Sequence, residues 1–164
     1  MLNKKVQDAI NEQIKNEIYS AYIYLSMSAY LESENLPGFA QWMRIQYQEE
    51  LSHALKLFDF ANERGGRVIL QAIPQPQAEW KTPLDLFENV LQHEQHVTAL
   101  IHNLYEVALQ EKDYATQVLL HWFIAEQVEE EKNATEIVEQ LKLIDARGSA
   151  LLMLDHRLGK RGGD

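Results

Sequence analysis

Cysteine is absent from the 164 residues. That excludes disulfides and thiolate ligands, so any metal held by this chain must be taken by oxygen and imidazole. No apolar run approaches the length of about 18 residues that a membrane span needs. The start Met1-Leu2-Asn3-Lys4-Lys5 leads straight into a helical pattern without the apolar core of a signal peptide. A cytoplasmic location is therefore the expected one. Surplus positive charge is missing too. The formal net charge is −10, which disfavours nucleic acid and anionic membranes as partners and suits a protein that attracts cations. Glycine and proline are scarce, at 7 and 4, while 46% of residues are hydrophobic. That balance fits a compact helical chain and argues against disorder. No low-complexity segment or internal repeat stands out, and 1–164 reads as a single domain long enough to bury a sizeable core.

What is present is helix. The pattern predicts helices at about 4–34, 37–64, 83–111, 114–144 and 149–159. Pro37 suits a first helical turn, and Gly65-Gly66 supplies the left-handed backbone that ends the second helix. Thr82-Pro83-Leu84-Asp85 places a capping side chain, a first-turn proline and an acid at the start of the third. Lys112-Asp113 reads as a tight break, and Asp145-Ala-Arg-Gly148 separates the fourth helix from the fifth. The short first and third joints imply antiparallel neighbours. Residues 66–81 contain Pro74 and Pro76 and cannot be helical. They reach roughly 50 Å when extended, whereas a helix over 37–64 is roughly 42 Å long. This connection can therefore run the length of the bundle and leave the second and third helices parallel. The expected fold is all-α: a four-helix bundle with one long crossover and a short fifth C-terminal helix. Within the crossover, Arg67-Val-Ile-Leu-Gln71 is either a brief strand or a strap packed on the bundle or on another subunit.

Each of the four long helices carries an apolar stripe at three- and four-residue spacing, interrupted near its middle by polar residues. The first runs Ile10, Ile14, Glu17, Ala21, Tyr24, Ser28, Leu31. The second runs Phe39, Met43, Gln46, Glu50, His53, Leu57, Phe60. The third reads Leu84, Phe87, Leu91, Glu94, Thr98, Ile101, Tyr105, and the fourth Leu120, Phe123, Gln127, Glu130, Ala134, Ile137, Leu141. A carboxylate in an apolar seam must be paired, protonated or bound to metal. Interruptions at similar depth on four helices converge on one point inside a bundle. Glu50 and His53 lie three apart, on one helix face, and can ligate one ion. The four glutamates Glu17, Glu50, Glu94 and Glu130 match the charge of two divalent cations, which points to a dinuclear site. Glu50 is best placed to bridge, with Glu17 and His53 on one side and Glu94 and Glu130 on the other. Mostly carboxylate ligation with one imidazole suits iron or manganese, and admits zinc.

Glu17 and Tyr24, Glu49-Glu50-Leu-Ser-His53, Glu94, and Glu126-Gln127-Val-Glu129-Glu130 together make the chain resemble a non-haem bacterial ferritin over essentially its whole length. The resemblance implies a ferroxidase that oxidises Fe(II) with dioxygen and collects ferric mineral inside a 24-subunit homo-oligomeric shell. It implies one iron held by Glu17, Glu50 and His53 and another by Glu50, Glu94 and Glu130. It places Gln127 beside the pair, contacting dioxygen or a bridging water. Tyr24 becomes a hydrogen-bond partner of the carboxylates and an electron donor. Glu49, Glu126 and Glu129, with Glu130, would hold a third iron on the inner surface; the alternative for these three is a solvated acidic face. Trp122 is either a redox relay or core packing.

Haem-containing bacterioferritins carry a second E-x-x-H where this chain has Gln127 and Glu130. They take a haem-ligating methionine near the first E-x-x-H, where Leu51, Ser52 and Ala54 stand here, so no haem is expected. His93, His96, His102, His121 and His156 show no site-like spacing. The leucines of the fifth helix must be covered by the bundle or by other subunits, because so short a helix is unstable alone. Such a helix fits a shell and argues against the twelve-subunit starvation proteins. Two other readings stand: a di-iron peroxidase of the rubrerythrin kind, disfavoured by the absence of cysteine, and a metal-free bundle whose glutamates are really surface residues.

Overall fold

Side-chain oxygens start the helices where the sequence offers them. In the computed structural model, which describes residues 1–144 and 148–163, the elements are α1 (Lys4–Ser33), α2 (Pro37–Glu63), α3 (Pro83–Gln110), α4 (Tyr114–Leu143) and α5 (Gly148–Leu158). All bounds lie within one residue of those expected. Of the predicted break Asp145-Ala-Arg-Gly148, residues 145–147 fall outside the described residues, and Gly148 (φ 61) begins α5. Asn3 Oδ1 accepts from the Val6 amide at 2.9 Å, Thr82 Oγ1 from Asp85 at 3.0 Å and Asp113 Oδ1 from Thr116 at 2.9 Å, each satisfying an orphan first-turn donor. Leu36 gives α2 no such oxygen. Asp155 of α5 supplies it instead, accepting from the Phe39 amide at 2.8 Å. Gly38 makes this possible, since a Cβ there would lie 1.8 Å from the Asp155 carbonyl oxygen.

The three tight ends share one device. α1, α2 and α3 each close with paired amides reaching back to the last turn: Leu36 to Leu31 and Asn35 to Glu32, Gly66 to Ala61 and Gly65 to Asn62, Asp113 to Ala108 and Lys112 to Leu109. That pattern needs a left-handed residue at its pivot. The pivots are Asn35 (φ 58), Gly65 (φ 70) and Lys112 (φ 53).

The crossover is a strap along α1. Gln7 Oε1 accepts from the Arg67 amide at 2.9 Å, Ser26 donates to the Gln77 carbonyl at 2.6 Å, and Tyr30 donates to the Trp80 carbonyl at 2.7 Å. These partners progress from one end of α1 to the other, so α2 and α3 run parallel as expected. No strand forms among the described residues. The β-like run Arg67–Gln71 meets the amide of Asn11 instead, which donates to the Arg67 carbonyl at 3.0 Å and accepts from the Ile69 amide at 3.1 Å. One side chain thus replaces a partner strand for those groups.

Packing pairs α1 with α2 and α3 with α4, brings α1 against α3, and seats α5 on α2. The apolar core falls into two clusters. One contains Leu31, Phe39, Met43, Phe87 and Leu141, and the other Ile10, Ile14, Leu57, Ile101 and Leu120. A polar waist lies between them. The expected stripes of α1 and α4 are buried throughout, and that of α2 up to Leu57. On α3 the seam is Phe87, Val90, Glu94, Val97, Ile101, Leu104 and Ala108; Leu84, Leu91, Thr98 and Tyr105 only flank it. Both series use three- and four-residue steps and share Phe87, Glu94 and Ile101, so spacing alone did not choose between them.

Candidate metal centre

The acidic, imidazole and amide interruptions of the four stripes point into the waist. Glu17, Glu50, His53, Glu94, Gln127 and Glu130 are all at most 4% exposed, which overturns the reading of the glutamates as surface residues. Three of them form a compact set. Ligand atoms of Glu17, Glu50 and His53 lie within 4.8 Å of one another. His53 Nδ1 is 3.4 Å from Glu50 Oε2 and 3.9 Å from Glu17 Oε2. Both of those oxygens are buried without a hydrogen-bond partner. Orphaned carboxylate oxygens in a dry interior are costly, and both face the same imidazole nitrogen.

The other carboxylates are held by neighbours. Gln13 Nε2 donates to Glu17 Oε1 at 2.7 Å, leaving Oε2 free. Gln46 Nε2 donates to Glu130 Oε2 at 2.6 Å. Tyr24, fully buried, donates to Glu94 Oε1. Gln127 Nε2 donates to Glu94 Oε2 at 3.1 Å, and is within 3.2 Å of the Glu94 carbonyl and 3.3 Å of Thr98 Oγ1. Glu94 and Glu130 thus share the depth of the first three residues but stand outside their 4.8 Å cluster.

Electrostatics follow from this crowding. Burial pushes Glu17 and Glu50 well above the usual carboxylate range, reinforced by the charge of Glu50 on Glu17 and of Glu94 on Glu50. Glu94 is raised by burial against the opposing hydrogen bonds from Tyr24 and Gln127. Glu130 is pushed up to about 8, by burial first and then by Glu94. The Tyr24 phenol is raised by burial and by the charges of Glu94, Glu50 and Glu130. Like charges forced together this way hold protons until a cation replaces them. With no sulfur ligand available, the donor set is hard and fits a divalent first-row ion or magnesium-like oxygen chemistry.

The outlying acids are more dispersed. Glu126 Oε1 is 3.8 Å from His53 Nε2 and half-buried. Glu49 is paired with Arg161 at 2.6 Å. Glu129 is exposed. Trp122 is not core: it is 38% exposed, its ring centroid lies 5.3 Å from that of His53 in an edge-to-face arrangement, and Lys56 Nζ is 4.4 Å from the centroid. Position 122 precedes the buried Phe123, so the helical turn that buries one ring turns the other outward. His96, His102, His121 and His156 are exposed. His93 bonds Ser20 Oγ at 2.8 Å and is lowered to about 4 by burial and by His96. Sequence reasoning missed the supporting roles of Gln13, Gln46 and Arg161. Gln13 stands four residues before Glu17, one helical turn away, which is the signal that could have found it; Gln46 bonds Glu130 on another helix, and its place on the stripe of α2 is the only local hint. Nothing local marks Arg161.

The family model for the ferritin-like domain matches residues 7–144. A bacterial non-heme ferritin of Bacteroides fragilis is 45% identical over 161 residues, covering 98% of this chain and 100% of that protein. One from Staphylococcus saprophyticus is 38% identical over 164 residues, covering 100% and 98%. An open-pore ferritin from the archaeon Archaeoglobus fulgidus superposes with a TM-score of 0.97 at 55% identity, over 98% of this chain and 99% of its own. With its bundle, its crossover and its buried acid waist, the chain belongs to the ferritin family.

Proposed function

We propose that this chain is a ferroxidase subunit of an iron store. The observation that carries the reading is the pair of orphaned oxygens, Glu17 Oε2 and Glu50 Oε2, facing His53 Nδ1 in a dry seam. Glu17, Glu50 and His53 take one Fe(II); Glu50 bridges to a second, taken also by Glu94 and Glu130. Two divalent ions offset the four carboxylates, and the raised carboxyl groups give up their protons as the ions arrive. Each Fe(II) then yields one electron to dioxygen, which accepts the pair. Gln127 holds Glu94 through its amide and serves beside the pair; Tyr24 holds the same carboxylate from the other side and serves as an electron donor. Glu49, Glu126 and Glu129, with Glu130, form an acidic annex for a third iron. Residues 1–164 act as one domain, in a cytoplasmic shell of 24 copies of this chain that takes Fe(II) and dioxygen as substrates and keeps ferric mineral inside. Leu51, Ser52 and Ala54 beside His53 offer no thioether, and the proposal includes no haem.

The test is aerobic Fe(II) oxidation by stopped-flow absorbance. Glu50→Ala and His53→Ala should each slow it at least about a hundredfold, on the order expected for loss of a metal ligand, with the helical content unchanged. Unaltered rates in both variants would remove the assignment.

A further inference from the structure

Beyond α5 the chain turns back onto α2, and its last described arginine reaches the metal centre from outside. Arg161 Nη2 donates to Glu49 Oε2 at 2.6 Å, and Nη1 donates to Gln46 Oε1 at 2.8 Å. Its guanidinium lies 4.5 Å over the ring of Trp42. Gln46 is fully buried and turns its other end to Glu130 Oε2 at 2.6 Å. Guanidinium, amide and carboxylate are therefore linked in series. An amide has one accepting and one donating end, and arginine only donates. While Arg161 is docked, Gln46 must present its NH2 group to Glu130. The docking is built: a Cβ at Gly162 (φ 72) would come within 2.8 Å of Ile45, so the glycine lets the tail lie flat on α2. Glu49 is also close enough to Glu130 to raise it.

We propose that Arg161 is a positioning residue and the resident cation of the acidic annex. It fixes Gln46, and through it Glu130, for the paired ions. It also occupies Glu49, so a third metal ion must displace the guanidinium. Arginine stays charged at every relevant pH, so the annex opens by displacement of the tail and not by titration. The chemical class of the competing ligand is a divalent cation. The proposal rests on the assignment of the paired site above.

Anaerobic calorimetric titration of the intact protein with Zn(II), which is redox-silent, separates the two claims. Two ions per subunit are expected in the wild type, in Arg161→Gln and in Arg161→Lys, with the weaker of the two held about threefold to tenfold less tightly in Arg161→Gln, where Gln46 loses the donor that orients it towards Glu130. A weaker ion bound equally well in the wild type and Arg161→Gln overturns the positioning claim. The third ion should bind about tenfold more tightly in Arg161→Gln than in the wild type, the effect of removing a charge-assisted pair in a partly buried setting. Arg161→Lys keeps the charge but not the planar fork that joins Gln46 and Glu49 over Trp42, so its third-ion affinity should fall between those of the wild type and Arg161→Gln. In an Arg161→Gln background, Glu49→Gln should cancel the gain. A third-ion affinity equal in the wild type and Arg161→Gln overturns the proposal while leaving the paired site standing. Lysine as permissive as glutamine overturns the charge argument. Absence of the two tight ions in all three proteins sinks the paired site, and this proposal with it.

Discussion

At the scale of single residues, the waist works by holding Glu17, Glu94 and Glu130 with protein donors while Glu17 and Glu50 each keep one unpartnered oxygen. Tyr24 tests the division. Tyr24→Phe removes the phenol bond to Glu94 and leaves the Glu17, Glu50 and His53 cluster untouched. One of two Zn(II) ions should weaken about tenfold, the worth of one charge-assisted hydrogen bond, and calorimetry would show two unequal classes. Titration offers a second test. The folded Glu130 carboxyl sits at about 8 against an ordinary 4.5, so the metal-free folded chain binds this proton more tightly than the unfolded chain. That stabilisation is complete below about 4.5 and lost as pH rises through about 8. Urea unfolding of chelator-treated protein should show wild-type stability falling between pH 5 and 9 relative to Glu130→Gln. Equal slopes would refute the raised value. Glu17, Glu50, His53, Glu94 and Glu130 were legible in the sequence because a charge on an apolar stripe is a conspicuous contradiction. The roles of Gln13 and Gln46 were not, because a buried glutamine, even one on a stripe as Gln46 is, names no partner until the fold is seen. Arg161 is joined to Glu49 only by the fold, 112 residues away.

At the scale of elements, the helix bounds were legible because proline, glycine and capping residues mark them locally. The exception is α2, whose missing cap comes from Asp155 on α5, a contact that no local signal announces. Asp155→Ala should cost about 1 kcal/mol, the usual value of a cap. Gly38→Ala should cost more, because its Cβ would collide with backbone at 1.8 Å and α5 must lift away. Thermal unfolding of the two variants and the pair checks this: if both act by undocking α5, the double variant loses less than the sum. The Arg67–Gln71 run shows the limit of local reading. Its residues favour a strand, yet a strand needs a partner, and Asn11 offers only one amide.

At the scale of the whole molecule, the parallel arrangement of α2 and α3 followed from the reach of the crossover alone, whereas the surfaces that meet other copies left no such arithmetic. The coordinates show where apolar surface remains. Leu143 and Met153 are 85% and 73% exposed and line one apolar cleft with Ile144, Ala150 and Leu154 where α4 ends and α5 lies. Large exposed apolar groups in one place mark an interface. Met153→Glu should therefore shift native mass from the assembled particle toward smaller species, while each subunit still binds two Zn(II) ions; an unchanged particle would place the contact elsewhere. The divided core carries a last consequence. Two greasy halves meet across a plane of crowded, proton-holding acids at the centre of the body. If the proposed function holds, ions seated among these acids tie the two halves together, and amides on either side of the waist should exchange with solvent more slowly once Zn(II) is bound.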